Sequence, residues 1–255
     1  MILLLGAAVL LELAVFAVGR LSRLSITLHR QPATAAANEE RPIGGGILSG
    51  ITHAFGSRYL VNVSLFLLLF AITSTVLYFQ QAGIVSRSFT DRGAQTAFFA
   101  TVDLLVNILT LAIQLFLTGR IVLWLGVGLA LAFLPALTIL GFGALSAAPT
   151  LGAIAAFQVV RRAGDYAIAR PTREVLFTVV PREDRYKAKS FIDTFVYRLG
   201  DQVGAWGVAG FRALGAGAAE LALIAIPIAF LWLLNALWLG RRQEKMAEAR
   251  AAAAE

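Results

Sequence analysis

The chain has no cysteine among its 255 residues, which excludes disulfide staples, zinc ribbons and thiol nucleophiles. Histidine is nearly as scarce. His29 and His53 lie 24 positions apart with no carboxylate pattern around them, so no metal site is expected. Charged residues make up 15% of the chain, against about 25% in a soluble domain. Neither the phosphate-cradling G-x-x-x-x-G-K-[ST] nor the dinucleotide-type G-x-G-x-x-G occurs, and no Ser/His/Asp set has workable spacing. The chain is therefore not expected to be an enzyme, and no catalytic residue and no cofactor can be named.

What is abundant is apolar surface: 58% of residues are hydrophobic. At that content the bilayer sets the structural unit, because a helix needs about 20 apolar residues to cross it. The abrupt apolar start, Met1-Ile2-Leu3-Leu4-Leu5, has no basic stretch before it. It argues against a cleavable signal peptide and for a missing segment upstream.

Seven apolar segments are legible from their lengths and flanks. They are about 2–19, 59–85, 97–117, 121–140 (ending in a turn over 141–149), a fifth that starts near Thr150 and stops at Arg161-Arg162, 188–210 and 218–239. Residues 47–57, which alternate apolar and small side chains, predict a short interfacial helix. Pro227 predicts a kink in the last span. The expected fold is an all-α membrane protein of about seven transmembrane helices.

The net charge of +7 raises the question of nucleic acid, but the basic residues sit between apolar stretches with no aromatic interleaving. With the first linker placed in the cytoplasm, 18 of the 22 Lys and Arg fall on the cytoplasmic side. Arg87, Arg92 and Arg212 fall opposite, and Arg198 lies within a span. That asymmetry predicts a cytoplasmic carboxyl terminus, and the expected location is an inner (plasma) membrane.

Ionisable groups inside a span are costly and need a partner or a wet cavity. In the third span Asp103, Asn107, Thr110 and Gln114 form a polar stripe at helical spacing. It either lines a cavity or makes interhelical hydrogen bonds. Asp103 has no basic residue at i±3 or i±4, which predicts an unpaired carboxylate used for coupling or solute binding, with a bond to Arg198 as the alternative. Arg162 and Asp165 form an i,i+3 pair, as do Arg198 and Asp201. Asp193 lacks a local partner. Gly200 and Gly204, continued by Gly207 and Gly210, suit close helix contact. Pro171 predicts a break or bend near Arg170. Beyond it Arg170, Arg173, Lys187 and Lys189 are expected to cluster with Glu174, Glu183 and Asp184 as a cytoplasmic latch.

The segment 166–201, YAIARPTREVLFTVVPREDRYKAKSFIDTFVYRLGD, resembles the signature region of the ATP/ADP translocase (nucleotide exchanger) family and its bacterial, major-facilitator-like relatives. Its matching pieces are Arg170-Pro171-x-Arg173-Glu174, then Tyr186-Lys187-x-Lys189, then Phe191-Ile192-Asp193, and Arg198 with Asp201. Residues 75–81 (TVLYFQQ) and 103–119 are also similar. The resemblance implies twelve spans in two six-helix halves, with the solute carried between them. On that basis residues 1–19 resemble the last span of a missing amino-terminal half and 20–58 a cytoplasmic linker. Residues 59–240 resemble a six-span half-domain, and 241–255 a cytoplasmic tail. The implied partners are the lipid bilayer, a small solute such as a nucleotide, and a separate amino-terminal half or a second copy. The candidate functional residues, read from the polar positions inside the spans and from the motif segment, are Asp103, Asn107, Gln114, Arg162, Asp165, Asp193, Arg198 and Asp201 for solute or coupling, and Arg170, Pro171, Arg173, Glu174, Tyr186, Lys187 and Lys189 for the cytoplasmic gate. The alternative is a non-transporting membrane protein built on half a transporter.

Overall fold

The computed structural model describes Val9, residues 11–21 and residues 49–253. The chain divides into two compact units, Met1–Gly45 and Gly46–Glu255. In the first, residues 11–21 form helix α1. The expected linker, with His29, Glu39, Glu40 and the triple glycine, lies outside the described residues over 22–48.

The described residues of the second unit form helices joined by short turns, with no strand among them. A short helix α2 (Ser49–Gly56) leads into the long helix α3 (Arg58–Ser88), then α4 (Arg92–Phe116) and α5 (Thr118–Ala147). Next comes a rod in three pieces: α6 (Leu151–Gly164), a π turn (Asp165–Ala169) and α7 (Arg170–Leu176). A second interrupted rod follows, with α8 (Arg182–Phe191), a π turn (Ile192–Val196) and α9 (Tyr197–Ala213), and α10 (Ala218–Ala252) closes the chain. Among the described residues, four helices are long and apolar enough to cross a membrane: α3, α4, α5 over Leu123–Ala147, and α10.

Several helix ends differ from those the apolar runs suggest. The fourth apolar segment does not turn at Gly141, because α5 stays helical to Ala147, and its irregularity lies instead at Gly126 with φ of +71°. Only glycine adopts that conformation without strain. The last helix, α10, runs through Pro227 and on to Ala252, so the residues expected as a tail from 241 continue the helix of the last span. The helix of the fifth segment continues past Arg161-Arg162, where its apolar run stops, and the break or bend expected near Arg170 takes the form of a π turn just before it.

The reason is local. Arg170 keeps α-helical φ/ψ of −63° and −52°, and its N–H reaches back five residues to the Asp165 carbonyl. Proline has no N–H to give the carbonyls one turn earlier. Those carbonyls are taken from the side: Thr118 Oγ1 donates to Ala167 O at 2.8 Å and Gln114 Nε2 to Tyr166 O at 3.3 Å. The π turn thus carries the helix past Pro171, as such insertions do elsewhere.

Packing follows small residues. A Cβ on Gly240 of α10 would lie 2.1 Å from Gly128 Cα of α5, so these two helices meet backbone to backbone. Gly200 and Gly204 of α9 face Leu68, Ala71, Ile72 and Thr75 of α3, where added Cβ atoms would approach to 2.6 and 2.9 Å. Gly207 and Gly210, expected on the same contact, have nothing within 4 Å.

Two large apolar clusters, and a small third around Ala130, Ala167 and Ile168, fill the described part of the unit. One holds Phe66, Phe70 and Trp232, whose ring centroids lie 5.4 Å (Phe66–Trp232) and 5.7 Å (Phe70–Trp232) apart. The other holds Phe142 and Phe157 at 5.4 Å. On α3 they are separated by the polar run Thr73-Ser74-Thr75.

Candidate functional site

The polar run on α3 surrounds Arg161 of α6, which is 4% exposed. Thr73, Ser74 and Thr138 each donate their hydroxyl proton to a carbonyl of the preceding turn, on Leu69, Phe70 and Leu134. Their oxygen lone pairs are thereby left facing the guanidinium. Arg161 Nε donates to Thr138 Oγ1 at 3.1 Å, and Nη2 to Thr73 Oγ1 at 3.3 Å and Ser74 Oγ at 2.9 Å. The cation also stands 5.3 Å from the Phe70 ring centroid, and Asp165 supplies compensating negative charge. A buried cation is tolerable only when so fully satisfied. Beside it, Gln158 Nε2 donates to Gln81 Oε1 at 2.7 Å.

From this buried layer an ionic network extends to the exposed side of the two interrupted rods. Arg162 Nη1 contacts Asp103 Oδ1 at 2.5 Å, joining α6 to α4. This corrects two expectations. Arg162 does not pair with Asp165, and Asp103 is not unpaired, nor does it reach Arg198. Asp165 instead accepts from Arg170 Nε at 3.1 Å. The π turn accounts for the exchange, because it brings residues five apart onto one face. The Arg170 guanidinium also lies over the Tyr166 ring, 4.3 Å from its centroid.

The second rod continues the network. Asp193 has no partner on its own helix, and Arg173 Nη2 approaches it at 3.8 Å from α7. Arg198 and Asp201 pair as their spacing predicts, at 3.4 Å, and Thr75 Oγ1 bonds the same aspartate at 3.1 Å. Arg170, Arg173, Asp193, Tyr197 and Arg198 line a cavity of about 500 Å³ with Phe70 at its back. The network contains four arginines (162, 170, 173, 198) and four aspartates (103, 165, 193, 201), so it is close to neutral.

The other members of the α4 stripe divide. Gln114 is committed to the Tyr166 carbonyl, as an interhelical bond rather than a cavity group. The Thr110 hydroxyl is buried without a partner, whereas Asn107 is exposed and makes no side-chain hydrogen bond among the described residues.

The gate motif is less unified than expected. Lys189 bonds Glu174, tying α8 to α7, and Lys187 bonds Glu183 within α8. The Lys187 ammonium holds the Glu183 carboxyl below its usual range. Arg170 and Arg173 face the cavity instead and do not join a single cluster. Tyr186 is exposed, beneath Arg182 at 5.9 Å. Arg250 of α10 donates to Thr178 O at 2.9 Å, so the long last helix helps hold the 177–181 turn.

Two residues that spacing did not single out belong to these contacts. Arg161 has partners 23 to 88 positions away, and no local pattern points to them. His53 of α2 meets Asp184 through Nδ1 and approaches Glu183 through Nε2 at 3.8 Å, docking α2 on α8. Among the described residues no three His, Cys, Asp or Glu side chains converge to hold a metal ion. No protein-family model matches the chain, and neither a curated protein nor a solved structure matches it.

Proposed function

We propose that the chain is a six-helix half, with one preceding helix, of a secondary transporter similar to the nucleotide-exchanging ATP/ADP translocases. It would work in a bacterial inner membrane with its carboxyl terminus in the cytoplasm. One observation carries this reading. Seven charge-bearing side chains on two helical rods, each interrupted by a π turn, join Asp103 of α4 in one ionic network, all but Asp165 of them partly or fully exposed, beside helices apolar enough to span a membrane. Facing lipid, such groups would cost about 3 kcal/mol each. Facing a water-filled cavity closed by a second half, they would cost little and could handle a charged solute. Discontinuous helices near the meeting of two repeats are where transporters of this kind place their sites.

The chemistry would be transport without hydrolysis, driven by an ion gradient or by exchange. Arg170, Arg173 and Arg198 present donors that suit phosphate or carboxylate oxygens. Asp103 and Asp201 hold neighbouring cations in place when solute is absent. The opposite wall would come from a separate amino-terminal half or from a second copy of this chain.

The near-neutral balance of the network favours one second reading, a non-transporting membrane protein whose ion pairs only tie its helices together. Counterflow in proteoliposomes separates the two. The chain co-reconstituted with a complementary six-helix half should exchange labelled nucleotide, and Arg198→Gln should abolish the exchange while leaving the protein folded. Exchange unaffected by Arg198→Gln, Arg170→Gln and Arg173→Gln together would reject the assignment of this wall.

A further inference from the structure

A second cavity, of about 540 Å³, opens where α3 begins and where α10 leaves its apolar stretch. Arg58 stands on one side of it and Arg241, Arg242 and Lys245 on the other, with Trp238 between them and the apolar part of α10. All four cations are exposed. Their situation differs from that of the other motif cations. Arg162, Arg170, Arg173, Lys187, Lys189 and Arg198 each have a carboxylate within 4.0 Å. Arg58, Arg241, Arg242 and Lys245 have none among the described residues.

The backbone adds to this imbalance. The 31-residue helix α3 points its amino-terminal, positive end at the cavity. Four like charges around one concavity repel one another unless an anion neutralises them. Arginine forks match phosphate oxygens in pairs, and the cavity falls in the size range of small-molecule sites. Trp238 is 43% exposed at the end of an apolar run, the position in which indole rings mark the headgroup level of a bilayer.

We infer that this cavity binds a phosphate-bearing anion, and that the anion is the headgroup of an anionic phospholipid. The site goes beyond the transport reading, since it lies apart from the ionic wall and does not depend on solute movement. Basic hollows between spans on the cytoplasmic side are suited to such headgroups.

Native mass spectrometry of the purified chain, titrated with phosphatidylglycerol, phosphatidylcholine or inorganic phosphate, tests the site. Phosphatidylglycerol should bind at least tenfold more tightly than phosphatidylcholine. Each charge-removing change, Arg58→Gln, Arg241→Gln, Arg242→Gln or Lys245→Gln, should weaken it roughly fivefold. Arg241→Lys with Arg242→Lys should retain the preference, which separates lost charge from lost fold. Binding of inorganic phosphate without lipid preference, lost in the same variants, would keep the phosphate site and reassign its source to a free anion. Equal binding of both lipids with no binding of phosphate, or a fourfold Gln variant that binds like the parent, would overturn the inference.

Discussion

Removing the charge of Asp103 distinguishes a wet wall from a lipid-facing one. Asp103→Asn preserves size and hydrogen bonding but leaves Arg162 without its anion. The pair is close, at 2.5 Å, yet the two side chains are 55% and 35% exposed. If that exposure is to water, the pair behaves like a surface ion pair, worth about 0–1 kcal/mol after screening. Asp103→Asn and Arg162→Gln should then each shift the unfolding midpoint only slightly, and a double-mutant cycle should give a coupling of no more than about 1 kcal/mol. If the pair faces hydrocarbon, one uncompensated charge costs about 3 kcal/mol or more. The assay is reversible unfolding from mild detergent into SDS, followed by far-ultraviolet circular dichroism. A loss near 3 kcal/mol for each single substitution, restored when both are made together, would refute the placement of this network on a cavity.

Three further outcomes follow from the packing and the topology. Gly240→Ala places a methyl where Gly128 already stands, so it should cost about 1–3 kcal/mol in the same unfolding assay, whereas Gly207→Ala, with open space around it, should cost under about 0.5 kcal/mol. Thr118→Val removes the donor to the Ala167 carbonyl beside Pro171, and the orphaned acceptor should cost about 1–3 kcal/mol and raise hydrogen exchange in the π turn. Reporter fusions at Pro181 and after Arg242 should read cytoplasmic, and one at Ser146 should read external, while an external signal at Pro181 would overturn the orientation read from the Lys and Arg asymmetry.

How much of this was legible in the sequence depends on the range of the interaction. The apolar runs locate α3, α4, α5 and α10 because burial in lipid is a property of each segment alone. Arg198 with Asp201, and Gly200 with Gly204, were legible because their spacing matches the turn of one helix. Asp103 with Arg162 was not, since 59 positions separate them and only the packing of α4 on α6 joins them. The apolar run of the fifth segment stops at Arg161-Arg162, and two adjacent arginines fit a solvated end as well as a continuing helix. The hydroxyls that make Arg161 tolerable inside the unit lie on α3 and α5. Asp165 was assigned to the wrong arginine for a different reason, which is that an i,i+3 rule assumes an α-helix and a π turn changes which residues share a face. The irregularity near Pro171 was foreseeable, but not its form, which depends on Thr118 and Gln114 reaching across from the end of α4 and the start of α5.

The absence of cysteine makes one measurement unusually clean. Asn107→Cys and Leu105→Cys each introduce a single thiol on α4, both at exposed positions but on opposite sides of the helix. If the polar stripe borders a water-filled cavity, a membrane-impermeant maleimide applied to membranes opened to both faces should label Asn107→Cys within minutes and leave Leu105→Cys unlabelled. Equal resistance at both positions would contradict the account, because the ionic wall would then lie against lipid or be sealed within protein.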